Sequence, residues 1–402
     1  MNNQEGIGRA INRLGRTATV GLLLAVGCAV MFFADSITFA HAYLYAWVFW
    51  MTLTVGCFGL LLLHHVCRTH WGKPILRLLE AGGGPGMLLL TGLLYIPILY
   101  RANMLYPWAQ MDHVRRSEVL LYRQSYMNIQ GVSLRTLVYF AIWILFSWAL
   151  RHWSVEQDKT GNVKLQQTRT NVAAGGLVLL FITALPASTD WIMSLDIEWA
   201  STIYGIWLVA GSVLVALSVI AIMMVSWTRF EPYADAITHT PRAWWRDITD
   251  LVLTAIMVWA YVALSQFLIQ WSGNIPAEVG YYSVRGEGIW KFISGGVIFG
   301  QFFIPFLCLL APRTKNPKML RAVCIWIILM RLLDLFWAIV PSFTTEQGNF
   351  FEVNMVFIVE CLVAVLGLGG IWFTVFTRVL KSADLVPNHP IPFMDEEVPE
   401  HA

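Results

Sequence analysis

Arg331 and Asp334 are the residues of this chain best placed to do chemistry. They carry opposite charges, stand three residues apart and so share one face of a helix, inside a long apolar stretch. A charge at such depth costs several kcal/mol against lipid and is a functional candidate by default. In the next apolar stretch, which runs back the other way, Glu360 falls at a similar depth, about two helical turns from the same end. The three residues are expected to form a buried acid–base cluster able to pass a proton. The alternative is a plain Arg331–Asp334 ion pair that fixes helix packing.

A second polar set lies in an earlier stretch. Asp250, Thr254, Tyr261 and Ser265, with Met257 in the missing turn, follow steps of three and four and keep one helix face. An acid followed by hydroxyls suits a proton entry file, running from Asp250, Tyr261 and Ser265 towards Arg331, Asp334 and Glu360. Polar glue between helices would use the same residues. Asp250 also suits the positive end of a helix dipole. Gln266 and Gln270 form a neighbouring row.

Histidine and cysteine narrow the chemistry. His64 and His65 lie at the end of an apolar stretch, His41 at the start of one, and the rest in loops or tails. No mid-depth pair offers axial ligands to a b-type haem. The six Cys form neither CxxC nor CxxCH, which argues against a covalently attached haem and a local iron–sulfur cluster. No metal ligand set, no catalytic residue and no quinone-binding residue is assigned on this chain.

The elements that must hold these residues are ten apolar stretches, roughly 17–34, 42–66, 84–100, 134–150, 171–187, 200–226, 249–271, 289–311, 320–341 and 352–377. Each is long enough to cross a hydrocarbon core of about 30 Å. Lipid offers backbone groups no partner, so helices are required. Hydrophobic residues make up 57% and charged residues 13%, against about 25% charged in soluble domains. Of the 19 Trp and 13 Tyr, many stand at stretch ends, such as Tyr43, Trp108, Trp191, Trp199 and Trp271, as an interfacial belt does. The chain is expected to be an all-α integral membrane protein of ten helices. A net charge of +2 gives no basis for nucleic-acid binding.

Basic residues set the orientation. Arg9, Arg13 and Arg16 precede the first span, and Arg68, Lys73, Arg77, Arg151, Lys159, Lys164, Arg169, Arg229, Arg242, Arg246, Arg313, Lys315, Lys318 and Arg321 fill the loops on that same side. Arg378 and Lys381 follow the last span. The other side keeps only Arg101, Arg115, Arg116, Arg123, Arg135, Arg285 and Lys291. Both termini are thus expected in the cytoplasm. The first span lacks a small-residue cleavage site and is expected to be retained. Residues 1–381 read as one membrane domain, and 382–402 as a polar, proline-rich cytoplasmic tail.

Two loop segments read as interfacial. Segment 68–83 alternates Arg68, Lys73 and Arg77 with Ile75, Leu76, Leu78 and Leu79, as an amphipathic helix lying on the membrane does. Gly82-Gly83-Gly84-Pro85 ends it and lacks the Lys-Ser/Thr of a phosphate loop. The 101–133 loop carries Arg115, Arg116, Glu118 and Arg123 and has room for another such helix. One internal echo exists. The fifth span ends in Pro186, Ser188, Thr189 and Asp190, and the ninth in Pro341, Ser342, Thr344 and Glu346. Two four-helix units, spans 2–5 and 6–9, flanked by spans 1 and 10, would make these positions equivalent.

Two motifs carry a family resemblance. One is Asp190-Trp191-Ile192-Met193-Ser194-Leu195, continuing through Trp199 to Ser201-Thr202-Ile203-Tyr204-Gly205. The other is Ser265-Gln266-Phe267-Leu268-Ile269, running into Trp271-Ser272-Gly273-Asn274-Ile275-Pro276-Ala277-Glu278. With ten spans, the chain resembles the NrfD/polysulfide-reductase-like membrane subunits of bacterial alternative complex III, over spans 2–10. Its length and short tails resemble the smaller of the two such subunits. The resemblance implies two four-helix bundles in a bacterial inner-membrane quinol:electron-acceptor oxidoreductase. It implies as partners a sister ten-helix subunit, an extracytoplasmic iron–sulfur protein, multihaem cytochrome c subunits and small membrane subunits. Haem c and iron–sulfur clusters would belong to that complex, with quinol as its substrate. The family's quinol-oxidising subunit uses His and acidic groups near the outer face. Here the fourth span holds neither, and the outer halves of the third and fourth spans offer mainly Tyr95, Tyr100, Tyr139 and Trp143. A proton-conducting and scaffolding role beside the sister is the expectation. Docking is expected on 101–133, 188–198 and 273–288. A quinol-binding subunit in its own right, or direct quinone contact by the acid cluster, is the second reading. A secondary transporter, which would need helices broken at matched positions in two halves, is the third.

Overall fold

The computed structural model describes residues 3–33, 37–68, 70–228, 230, 244–311, 316–343, 353–382 and 384–387. Most of the tail 382–402, the loop at 344–352, and Arg229, Arg242, Arg313 and Lys315 lie outside them.

Ten helices are long and apolar enough to cross a membrane. They are α1 (Ala10–Met31), α2 (Ile37–Cys67), α3 (Leu76–Tyr100), α4 (Ile129–Thr160), α5 (Lys164–Leu195), α6 (Tyr204–Trp227), α7 (Trp244–Gly273), α8 (Gly288–Leu310), α9 (Pro317–Ser342) and α10 (Met355–Leu380). No strand occurs among the described residues. The protein is therefore an all-α integral membrane protein. The Lys381 ammonium donates to Asn12 Oδ1 at 2.7 Å, so the end of α10 meets the start of α1 on one face. That face is called terminal below, and the opposite face distal.

The contacts close two rings. Helix α2 touches α3 and α5, and α4 joins α3 to α5. In the second ring α6 touches α7 and α9, and α8 joins α7 to α9. Helices α1 and α10 pack on each other, and α10 leans on α2. Helix α2 is apolar all round and is buried along nearly its whole length, as such a helix must be. It is the wall between the rings. A side chain at Gly56 would put its Cβ 1.9 Å from the Ser212 carbonyl, so only glycine lets α2 and α6 cross this closely.

Helix α3 corrects the surface-helix expectation for 68–83. Leu76–Gly82 is buried throughout, Arg77 and Glu80 included, against α2 and α10. The apolar alternation that resembles an interfacial helix serves a helix surrounded by protein. A break at Gly83 and Gly84 follows, and Pro85 starts the next helical segment. The Ser147 hydroxyl donates to the Gly83 carbonyl at 2.7 Å and Arg151 reaches the Glu80 carbonyl at 3.4 Å, so the break leaves fewer carbonyls unpaired.

Helix α8 is interrupted differently, by a π-helical segment at Ile298–Phe303. Pro305 follows it and has no N–H to return to the Gln301 carbonyl, which favours the wider turn. The 101–133 region forms short helices over the distal end of α5. Tyr106 donates to the Trp191 carbonyl and Arg123 to that of Ile197.

Candidate functional site

The site lies in the second ring, about two turns below the distal face. Helix α9 places Arg331 and Asp334 one above the other, 0% and 1% exposed. Arg331 pairs with Asp334 Oδ2. The same oxygen accepts from Trp259 Nε1 of α7 at 3.1 Å and from Gln301 Nε2 of α8 at 3.2 Å. Three helices thus converge on one carboxylate oxygen. Among the described residues, Asp334 Oδ1, Arg331 Nε and Arg331 Nη2 have no hydrogen-bond partner. Burying two ions costs several kcal/mol each, and the pairing offsets this only in part.

Each neighbour has a local reason. The π turn brings Gln301, fully buried, to the inner face of α8. Trp207 of α6 lies under the guanidinium, 4.8 Å from ring centre to Cζ. Such a contact adds roughly 0.5–2 kcal/mol. Gly211, one turn further along α6, supplies the space for Arg331.

A cavity of about 620 Å³ opens beside the pair between α7, α8 and α9. Its floor includes Asp334, Trp207 and Trp259, and its mouth Tyr261, Leu264 and Phe303, which are exposed on the apolar belt. The helix Pro276–Arg285 roofs it on the distal side. There Arg285 donates to the carbonyls of Trp337, Tyr281 and Ala338 and to Ser342 Oγ. The Tyr281 ring stacks on Trp199 at 3.9 Å, and burial pushes its phenol above the usual value, so it stays protonated.

Only part of the expected constellation comes together. Arg331 and Asp334 meet. Glu360 does not join them, because its Oε1 accepts from Thr38 at 3.2 Å. The reason is the helical period. Leu332 and Phe336 face Tyr45 of α2, while Arg331 and Asp334 face the second ring. Glu360 on α10 therefore meets α2, and Phe357, one turn before it, meets Phe336 on the other side of α9.

The α7 stripe is also corrected as an internal file. Tyr261 is 73% exposed, Met257 and Thr254 are exposed, and Asp250 and Ser265 are half-buried. The Thr254 hydroxyl returns to its own helix at the Asp250 carbonyl. The inward row carries Trp259, Gln266 and Gln270. Gln266 donates to Tyr282 Oη at 3.3 Å.

Two further buried clusters escape the sequence reading. In the first ring Asp190, fully buried, accepts both arms of the Arg135 fork at 2.8 Å and the Tyr139 hydroxyl at 3.1 Å. Near the terminal face Arg77 pairs with Glu80 at 2.5 Å and with Asp158, and Arg169 bonds Gln157 and Gln166. The Arg135–Asp190, Arg77–Asp158 and Arg169–Gln157 contacts join different helices, which spacing along one helix does not reveal. Among the described residues no group of His, Cys, Asp and Glu is arranged to hold a metal.

No protein-family model matches the chain, and no curated protein matches it.

Proposed function

We propose that this chain is a membrane subunit of a quinol:electron-acceptor oxidoreductase of the alternative complex III type, most like the subunit ActF, and that it handles protons while scaffolding its neighbours. The observation that carries this reading is the Arg331–Asp334 pair. It is fully buried, held by three helices and keeps unpartnered polar atoms among the described residues, and Asp334 lines a cavity. A pair that served packing alone would be expected to satisfy those atoms.

The motifs behind the family resemblance occupy structured places. Asp190 holds Arg135, Trp191 sits among the aromatic rings of the first ring of helices, and Trp199 stacks across to Tyr281. In this reading the terminal face is cytoplasmic and the distal face receives the iron–sulfur and cytochrome c subunits, over the short helices of 101–128 and the roof Pro276–Arg285. The sister ten-helix subunit lies alongside in the bacterial inner membrane. The transporter alternative finds less support. The breaks in α3 and α8 are not at equivalent positions of the two rings, since α3 would correspond to α7 and α4 to α8.

The test is Asp334→Asn in the intact complex. Quinol oxidation stays measurable while proton release per electron falls. An unchanged proton stoichiometry overturns the proposal.

A further inference from the structure

We propose that the cavity between α7, α8 and α9 holds one acyl chain of a phospholipid from the distal leaflet, with the lipid phosphate against Lys291 at the rim. The inference is independent of the redox reading. It assigns a lipid that stays with the chain when the surrounding bilayer is removed.

The space has a cause in the sequence. Ala260 and Ala263 stand three apart on α7 and bring small side chains to the cavity wall, with Leu264 and Phe267 beside them. Opposite, the π segment Ile298–Phe303 forms part of the α8 wall through Ile298, Phe302 and Phe303. The volume of about 620 Å³ falls within the range of small-molecule sites.

The lining decides what fills it. Apolar space of this size left unfilled would cost a large part of a domain's stability. Water is a poor filler, because it needs several polar partners and the wall offers few. Asp334 stands at the inner end, but its Oδ1 is itself buried, so that end presents the rings of Trp207 and Trp259. Arg285 is spent on three carbonyls and a hydroxyl, and Ser294 is held between the Arg285 carbonyl and Trp337 Nε1. A hydrocarbon chain makes no polar demand. The mouth, at Tyr261, Leu264 and Phe303, lies on the apolar belt, where such chains are the solvent.

The rim decides the head. Lys291, one turn in from the distal end of α8, lines the cavity, is exposed and forms no salt bridge among the described residues. Its stem can lie along the wall while its ammonium reaches the head-group layer. There it meets the phosphate of a phospholipid whose chain runs inward past Ala263. Glu287, exposed one turn earlier, limits the rim to a single negative charge, as a phosphodiester carries.

The experiment purifies the full chain in a mild detergent, washes it until surrounding lipid is gone, and counts what remains by native mass spectrometry. Reconstituted with phosphatidylglycerol, the chain retains one phospholipid. Ala263→Phe, which fills the cavity from α7, retains none, while Leu137→Phe on the exposed face of α4 retains it fully. Lys291→Gln, at an exposed position that folding does not depend on, lowers retention about fivefold, as loss of an exposed ion pair does. A phosphatidylglycerol with a diazirine at the end of one acyl chain labels Trp259, Ala260 or Phe302. Undiminished retention in Ala263→Phe or in Lys291→Gln overturns the proposal. So does an isoprenoid chain in place of the phospholipid in the native preparation, or label confined to surface positions such as Leu137 and Leu145.

Discussion

The Arg331 guanidinium occupies the place a side chain would take at Gly211, with Cζ only 2.2 Å from where a Cβ would stand. The glycine of α6 and the arginine of α9 are therefore complementary. Gly211→Ala must displace a buried cation, and a loss of about 3 kcal/mol or more is expected, in the range of a broken buried pair. Gly175→Ala is the control, because nothing lies within 4 Å of its Cβ position. There the helix gains about 0.5–1 kcal/mol. Thermal unfolding in detergent compares the two.

Removing one ion of the pair leaves the other buried alone. Arg331→Met and Asp334→Leu should each cost about 3–5 kcal/mol, and the double variant distinctly less than either. Denaturant unfolding of the three variants measures this. Additive losses would mean that the charges do not interact.

Arg135 and Asp190 form the matching case in the first ring, but with unequal burial, 21% and 0% exposed. Arg135→Ala strands a carboxylate that, among the described residues, keeps only the Tyr139 hydroxyl, and should cost about 3 kcal/mol or more. Asp190→Asn keeps an acceptor and leaves the more exposed partner near solvent, so its cost should be smaller. A double-mutant cycle gives the coupling.

Tyr261 and Gln301 separate the proton file expected from the sequence from a route through the Asp334 cluster. Tyr261→Phe, on the lipid face, should leave proton release per electron unchanged. Gln301→Leu removes a donor from Asp334 and should lower it. The reverse pattern would restore the α7 stripe as the route.

Purification through a tag on this chain in a mild detergent should bring down haem c and iron in fixed ratio to the chain. A colourless, well-folded chain on its own would favour the transporter reading.

The number of spans was legible because a run of apolar residues long enough for a bilayer has few other uses. The Arg331–Asp334 pair was legible because it lies on one helix at a spacing of three. The inward face of α7 was not. Lipid tails are as apolar as a protein core, so Leu264 and Phe267 at the surface look like Val252 and Ile256 inside. The polar row then decided the reading, and two such rows exist. Glu360 was misplaced for a related reason. Depth along a helix can be counted from its end, but its neighbours around the axis cannot. The burial of Leu76–Gly82 was hidden because charges inside a protein and charges on a membrane surface give the same alternation.

The π turn of α8 holds one more residue than an α-helix would need over the same length. If the same residues closed as a regular α-helix, those beyond the turn would be rotated by about 100° relative to those before. Gln301 would swing away from Asp334 while every residue that touches the carboxylate stayed in the sequence. The connection between α8 and α9 thus depends on how the backbone winds as much as on side chains, and a change of winding alone would disconnect the site with no change to its chemistry.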